Sequence, residues 1–391
     1  MKKGTTAYRR ATVAMLAVGL AIFNTLYATQ ALLPTLVTNM GITPTEAAWT
    51  ISAATGALAL CVVPASILSE RFGRGRVLII SALAATALGL LLPLAQDASQ
   101  LIALRAVQGA LVAGTPAVAM AWLSEEIHAD DLPGTMGIYI AGNTIGGLTG
   151  RLIPAGLLEF TTWRWALFGS GLVALLFAIT MALLLPRQRN FTPKQISLLG
   201  ELRAMVGHLR NPLLVTMFLT AFLGMGTFVS LYNFFGFRMV NFFGLAPSLV
   251  GLVFVMYLSG TVSSAQAGNL IKRFGRPAVI TASAALMLLG ALACISNHLW
   301  VSIGGLFVFT ASFFAMHSTA SGWVGATATT NRAEASSMYT FSYYAGSSLV
   351  GAATGVVFER VSWAGFVGTL AGILIVLLLV LVLVSVRAQR S

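Results

Sequence analysis

Arg105 and Gln108 stand three residues apart in an otherwise apolar stretch, so on a helix they share one face and set a guanidinium fork beside an amide. Such a pair suits an anionic group or helix C-terminal carbonyls. Arg151 is a second arginine in greasy surroundings. Other polar side chains stand out from the same background: Asn24, Tyr27 and Gln30; Asn143; Tyr232 and Asn233; Tyr343, Tyr344, Ser347 and Ser348. At about 100° per residue, Asn24, Tyr27 and Gln30 fall within ~120° of arc, one stripe along a helix. Two roles are open to each of these groups: contact with a ligand, or an interhelical hydrogen bond worth about 0.6 kcal/mol. His317 adds a side chain whose ordinary pKa, about 6.5, lies near neutrality. It is a candidate for proton coupling, the alternative being a neutral imidazole bonded to a neighbouring helix. The eleven acids, Glu46, Glu70, Asp97, Glu125, Glu126, Asp130, Asp131, Glu159, Glu201, Glu334 and Glu359, all fall near segment ends or in loops. Arg105 and Arg151 therefore have no embedded acid to neutralise them, which favours an anionic or zwitterionic ligand unless a bound chloride or helix carbonyls take that place.

The elements that must hold these groups are membrane helices. Of 391 residues, 57% are hydrophobic and 9% charged, with a mean hydropathy of +0.87; soluble domains carry about 25% charged residues. Runs of about 18 or more apolar residues read as spanning helices. Twelve are expected, at 12–36, 46–68, 77–95, 100–123, 134–158, 163–185, 213–236, 246–270, 277–295, 299–323, 334–358 and 363–386. These stretches lack the alternation of a barrel. The first is too long for a signal-peptide core and contains Gln30 and Pro34, so it reads as the first span. The net charge of +12 would suggest nucleic acid in a soluble chain, but 18 of the 23 basic residues, Lys194 and Arg390 among them, fall on one side of this topology. By the positive-inside rule both termini are cytoplasmic, the chain is a multi-pass membrane protein, and its macromolecular surroundings are the lipid bilayer with no nucleic acid. Cys61 and Cys294 lie within spans in opposite halves and imply no disulfide or metal site.

The chain also repeats itself. Arg71-Phe72-Gly73-Arg74 recurs as Arg273-Phe274-Gly275-Arg276, and Ala141-Gly142-Asn143-Thr144-Ile145-Gly146-Gly147 lines up with Ala345-Gly346-Ser347-Ser348-Leu349-Val350-Gly351. Trp163 anticipates Trp363, and Gln30 corresponds to Tyr232. The longest polar interval separates the spans six and six, giving a bundle at 1–186, a cytoplasmic linker at 187–211 and a second bundle at 212–391. Within the linker, Ile196 to Leu209 reads either as an amphipathic helix along the inner membrane surface or as a solvated tether. Parallel repeats of this kind put a substrate site at the repeat interface.

Three motifs resemble those of the major facilitator superfamily. Ser66-Ile67-Leu68-Ser69-Glu70-Arg71-Phe72-Gly73-Arg74, and its partner Gly268-Asn269-Leu270-Ile271-Lys272-Arg273-Phe274-Gly275-Arg276, resemble the Gly-x-Leu-Ala-Asp-Arg-x-Gly-Arg turn. Physically, Gly73 and Gly275 permit left-handed turns, and Glu70 offers an acid that pairs with a cation in only one conformer, so the turn would act as a latch. Lys272 replaces the acid in the second copy, which makes the expected latch asymmetric, with Glu70, Arg71, Gly73 and Arg74 the switch and Lys272, Arg273, Gly275 and Arg276 its weaker counterpart. Arg105-Ala106-Val107-Gln108-Gly109 resembles the Arg-x-x-Gln-Gly motif. A span arginine costs about 2.5–3.5 kcal/mol, so Arg105 must face a cavity or partner, or snorkel to the outer face. Gly142, Gly146 and Gly150 form a ridge similar to the antiporter motif Gly-x-x-x-Gly-Pro-x-x-Gly-Gly, suited to close helix packing, although Gly147 replaces its proline and Arg151 its last glycine.

Together with Leu26 to Pro34, Phe313 to Ser318 and Tyr343 to Ser348, these motifs look like the YnfM-type branch, bacterial inner-membrane carriers allied to drug:proton antiporters. The resemblance implies an all-α fold of twelve transmembrane helices in two pseudo-symmetric six-helix bundles. It also implies a secondary active transporter working by alternating access, with proton-linked efflux of a drug-like or anionic or zwitterionic metabolite as the leading expectation. Uptake of a small organic anion is the alternative. No cofactor is implied, the proton gradient being the suspected energy source, and no phosphate loop of a primary pump is present. An intramembrane enzyme is disfavoured because His128, His208, His298 and His317 are scattered, and a channel because there is no selectivity loop. With both halves in one chain, a monomer suffices.

Overall fold

Apolar runs bounded by prolines, glycines and capping side chains fold here into long helices. The computed structural model describes residues 1–192 and 197–388, with side chains to residue 384. Lys194, Ile196 and Arg390 lie outside the described residues. We number the long segments α1 (Thr6–Met40), α2 (Pro44–Phe72), α3 (Arg74–Leu94), α4 (Ala98–Glu126), α5 (Leu132–Leu157), α6 (Trp163–Leu184), α7 (Pro212–Asn241), α8 (Pro247–Phe274), α9 (Arg276–Ala293), α10 (Leu299–Thr327), α11 (Arg332–Arg360) and α12 (Trp363–Ala388). Their ends follow local chemistry. Asp97 accepts from Gln100 N at 2.8 Å to open α4, and Asn211 accepts from Leu213 N at 3.0 Å to open α7. Gly73 and Gly275, at φ 102° and 81°, turn the chain between α2 and α3 and between α8 and α9.

Among the described residues ten of these helices are long and apolar enough to cross a membrane by length and composition alone. The other two, α5 and α11, are as long but carry glycine, serine, threonine and tyrosine where their neighbours carry leucine and valine. They occupy the same position in each half of the chain, and both contain polar groups singled out above. Four helices are interrupted, α3 among them, which leaves the α conformation after Gly89 and ends in a 3₁₀ turn at Leu92–Leu94. The α1 segment breaks after Tyr27 and passes through a 3₁₀ turn at Gln30–Leu32; Pro34 has no N–H to continue the ladder. The α4 segment breaks between Val112 and Pro116, and α8 opens as a 3₁₀ helix over Pro247–Met256.

The chain forms two compact units. The first is Met1–Ile42, Ala53–Gly200 and Ala246–Gly251; the second is Thr43–Ser52, Glu201–Leu245 and Leu252–Ser391. Inside the first, α1 packs on α5 and α6, and α3 packs on α4 and α6. Inside the second, α7 packs on α11 and α12, and α9 packs on α10 and α12. The pairings repeat at an offset of six helices, which is the duplication expressed as packing. Large aliphatic side chains such as Leu60, Ile80, Leu183, Val262, Leu289 and Leu383 are exposed, a surface whose natural solvent is lipid.

Candidate functional site

In the first unit the break in α1 organises the polar groups. A helix end leaves its last carbonyls without intrahelical partners, and here Arg105 supplies donors. Its guanidinium donates to Thr25 O at 2.9 Å, to Leu26 O, and to the Gln108 side-chain oxygen. Gln108 then donates to Ala85 O at 3.0 Å on α3. Arg105 and Gln108 are both buried, 0% and 1% exposed, so in this conformation the fork serves backbone carbonyls. Of the roles left open by the sequence, helix carbonyls are the one the geometry presents.

Arg151, also 1% exposed, sits on the far side of the same break. Its Nε donates to Gln30 Oε1 at 2.8 Å, one terminal nitrogen donates to Gly147 O at 2.6 Å, and the guanidinium carbon lies 4.1 Å above the Tyr27 ring. Tyr27, Gln30 and Arg151 thus converge as a cation held by neutral groups. The two departures from the antiporter motif meet here as well. A Cβ on Gly147 would stand 3.3 Å from the Arg151 guanidinium, so the missing proline and the added arginine occupy one place. Asn24 is on the stripe but turns elsewhere: its amide is 3.0 Å from Ser170 Oγ on α6.

The glycine ridge of α5 faces the backbone of α1. A Cβ on Gly142 would meet Leu16 O at 2.7 Å, one on Gly146 would meet Gly19 O at 2.6 Å, and Gly150 lies against the Asn24 backbone. Asn143 joins this crossing, since a Cβ on Gly19 would stand 2.7 Å from its side-chain oxygen. In the second unit Gly346 of α11 lies against the Phe222 backbone of α7 in the same manner.

The two basic turns differ in their partners. Arg74 reaches Glu70 at 2.7 Å and Glu125 at 2.6 Å, and it is 6% exposed. Gly75 N donates to Gln188 Oε1 at 2.9 Å, and the buried Glu126 accepts from Arg189 N at 2.7 Å and Asn190 N at 2.8 Å. Arg71 is exposed beside Phe72. At the second turn Lys272 and Arg273 are exposed, Arg276 is half-buried, and none of the three has an ion pair among the described residues. Glu125, Glu126 and Gln188 are partners that sequence reasoning missed. They lie 51 to 113 residues from their contacts, and nothing local marks them.

In the second unit the polar groups are set in an aromatic wall. Tyr232 shares a 2.6 Å hydrogen bond with Thr310 Oγ1 and packs on Phe228, Phe254 and Tyr257. Phe313 stacks on Phe228 with centroids 4.1 Å apart and leads to His317. His317 Nδ1 is 2.9 Å from Tyr339 Oη, and its ring centroid is 4.9 Å from that of Tyr343. Tyr344 packs edge-on against Tyr343, and Asn233 is buried in α7. Tyr339 was also missed, although it stands four residues before Tyr343 and so shares its helix face.

A family model described as Major Facilitator Superfamily matches residues 14–256 of the chain. The chain belongs to this superfamily. The facilitator is 38% identical to the inner membrane transport protein YnfM of Escherichia coli (strain K12) over 384 residues, covering 97% of this chain and 91% of that one. It is 37% identical to the MFS-type transporter YybF of Bacillus subtilis (strain 168) over 380 residues, covering 97% and 94%. Its fold matches the crystal structure of a variant of the nucleoside transporter NupG with a TM-score of 0.76 at 14% identity, covering 97% and 99% of the two chains. At that identity only the fold is shared. The facilitator is therefore a multi-pass membrane transporter of a small molecule and not an enzyme.

Proposed function

We propose that this facilitator is a proton-linked secondary carrier that exports a small organic anion or zwitterion across a bacterial inner membrane by alternating access. In this reading 1–186 and 212–391 are the moving halves, 187–211 is the tether, both termini are cytoplasmic and the carrier acts as a monomer. The observation that carries the substrate class is Arg151, a buried cation held by Gln30, Gly147 and the Tyr27 face in a chain whose carboxylates all lie near span ends or in loops. A ligand carboxylate would match the guanidinium in charge, and bidentate geometry would orient it. Arg105 has the other task of fixing the break that presents Tyr27 and Gln30. Within the second half, Tyr232, Tyr343 and Tyr344 offer rings for apolar contact and Asn233 offers an amide.

Counterflow in proteoliposomes tests this. Labelled organic anions should exchange and lipophilic cations should not. A charge-assisted hydrogen bond is worth about 1.5–3 kcal/mol, so Arg151→Gln should lower kcat/KM for the anion about 10- to 150-fold. Cation exchange that survives Arg151→Gln would overturn the assignment. Export rests on the antiporter resemblance of the glycine ridge. Energised inverted vesicles that fail to accumulate the anion would reverse the direction. Coupling is proposed for His317 because it is the embedded side chain whose ordinary pKa, about 6.5, lies near neutrality; its bond to Tyr339 on the neighbouring helix is the arrangement that the structural alternative calls for. A His317→Gln carrier whose transport follows the same pH profile as the parent would refute that role.

A further inference from the structure

The linker contains a helix, Leu198–Gly207, continued by a 3₁₀ turn at His208–Arg210. At about 100° per residue Leu198, Leu199, Leu202, Met205 and Val206 fall within ~120° of arc, and Leu209 prolongs the same face. Met205 is buried, whereas Leu198, Leu199, Leu202, Val206 and Leu209 are 45%, 76%, 41%, 58% and 45% exposed. A helix of this length is marginal in water even with good formers, and five exposed aliphatic side chains on one face give it no reason to stay there. It lies between the end of α6 and the start of α7, so it stands at a membrane surface by topology. The arginines of the linker sequence, Arg187, Arg189, Arg203 and Arg210, are complementary to an anionic leaflet.

Beside this helix is a cavity of about 480 Å³, lined by His208, Arg210, Asn211, Thr327, Thr329 and Thr330. His208 Nε2 is 3.0 Å from Asn331 O, which ties the end of the helix to the entry of α11. The lining offers a guanidinium and three hydroxyls at the margin of an apolar stripe. That combination matches a phosphodiester headgroup joined to acyl chains.

We propose that the linker helix is an interfacial anchor that binds an anionic phospholipid, its phosphate in the His208–Arg210 cavity and its chains along Leu199, Leu202 and Val206. This holds whatever the carrier transports and in whichever direction.

The test uses the full chain in nanodiscs of phosphatidylcholine with phosphatidylglycerol. In a Cys61→Ala, Cys294→Ala background, a fluorophore on Leu199→Cys should be quenched by doxyl-labelled lipid, and one on Gly200→Cys, one residue round the helix, by an aqueous nickel chelate. Equal aqueous quenching at the two positions would overturn the proposal. Native mass spectrometry of the detergent-extracted protein should find phosphatidylglycerol retained in preference to phosphatidylcholine. Retention should fall by about fivefold for each of Arg203→Gln and Arg210→Gln, the effect of one cation at an anionic surface. Retention unchanged by both substitutions would overturn the site, as would displacement of the lipid by millimolar inorganic phosphate, which would mark a soluble-anion site. Both substituted residues are exposed, and an unchanged thermal midpoint verifies that the variants are folded.

Discussion

At the scale of single residues, the two buried arginines make different contacts. Arg105 saturates the carbonyls freed where α1 breaks, so its loss leaves acceptors buried without donors, a cost of about 1–3 kcal/mol for each. Arg105→Ala should therefore lower the thermal midpoint of the detergent-solubilised carrier as well as its transport, and Arg105→Lys should recover little, since one ammonium cannot span the groups the fork holds. Arg151→Gln should lower transport with a smaller effect on the midpoint. If the two variants lose stability equally, the division of roles is wrong. The glycines can be sorted in the same way. Gly146→Ala would push a methyl into the α1 backbone and should cost about 1–3 kcal/mol, read as a fall in the midpoint. Gly137→Ala in the same helix meets nothing within 4 Å and should be neutral or slightly stabilising.

At the scale of elements, the basic turns share a backbone and differ in electrostatics. Both glycines have positive φ, so Gly73→Ala and Gly275→Ala strain their turns alike. The acid is what separates them: Glu70 belongs to a cluster with Arg74 and Glu125, whereas Lys272 is exposed without an ion pair among the described residues. Glu70→Gln should impair counterflow more than Lys272→Gln at equal expression, and Glu125→Gln should resemble Glu70→Gln. The reverse ranking would place the switch in the second half. The asymmetry was legible from Glu70 and Lys272 themselves. The reach of Arg74 to Glu125, and the seating of the linker on Gly75 and Glu126, depend on helix ends that meet only after folding.

At the scale of the whole molecule, the duplication appears as the same helix pairings within each unit, yet the halves hold different chemistry. Cation and amides lie in the first, and a tyrosine- and phenylalanine-rich wall with one imidazole lies in the second. If the carrier is proton-linked, a protonophore should abolish concentrative transport and leave counterflow intact, because exchange needs only the conformational cycle. Loss of both would mean that the gradient drives the cycle itself. The amino-acid sequence by itself determined the membrane class, the segments that form spans and the repeat, because hydropathy, charge distribution and turn residues are local quantities that lipid and backbone geometry read directly. It also marked the residues that lipid makes costly, Arg105, Arg151 and His317. What each one touches was decided by tertiary structure alone: Arg105 on the end of α1, Arg151 on Gln30 and Tyr27, His317 on Tyr339. The hydrogen bonds of the arginines to α1 join residues 79 to 121 positions apart, and the His317 contact joins residues of successive helices 22 positions apart. Glycine-mediated approach of α5 to α1, and the break in α1, set the distances of the arginine contacts, and no local pattern encodes such a distance.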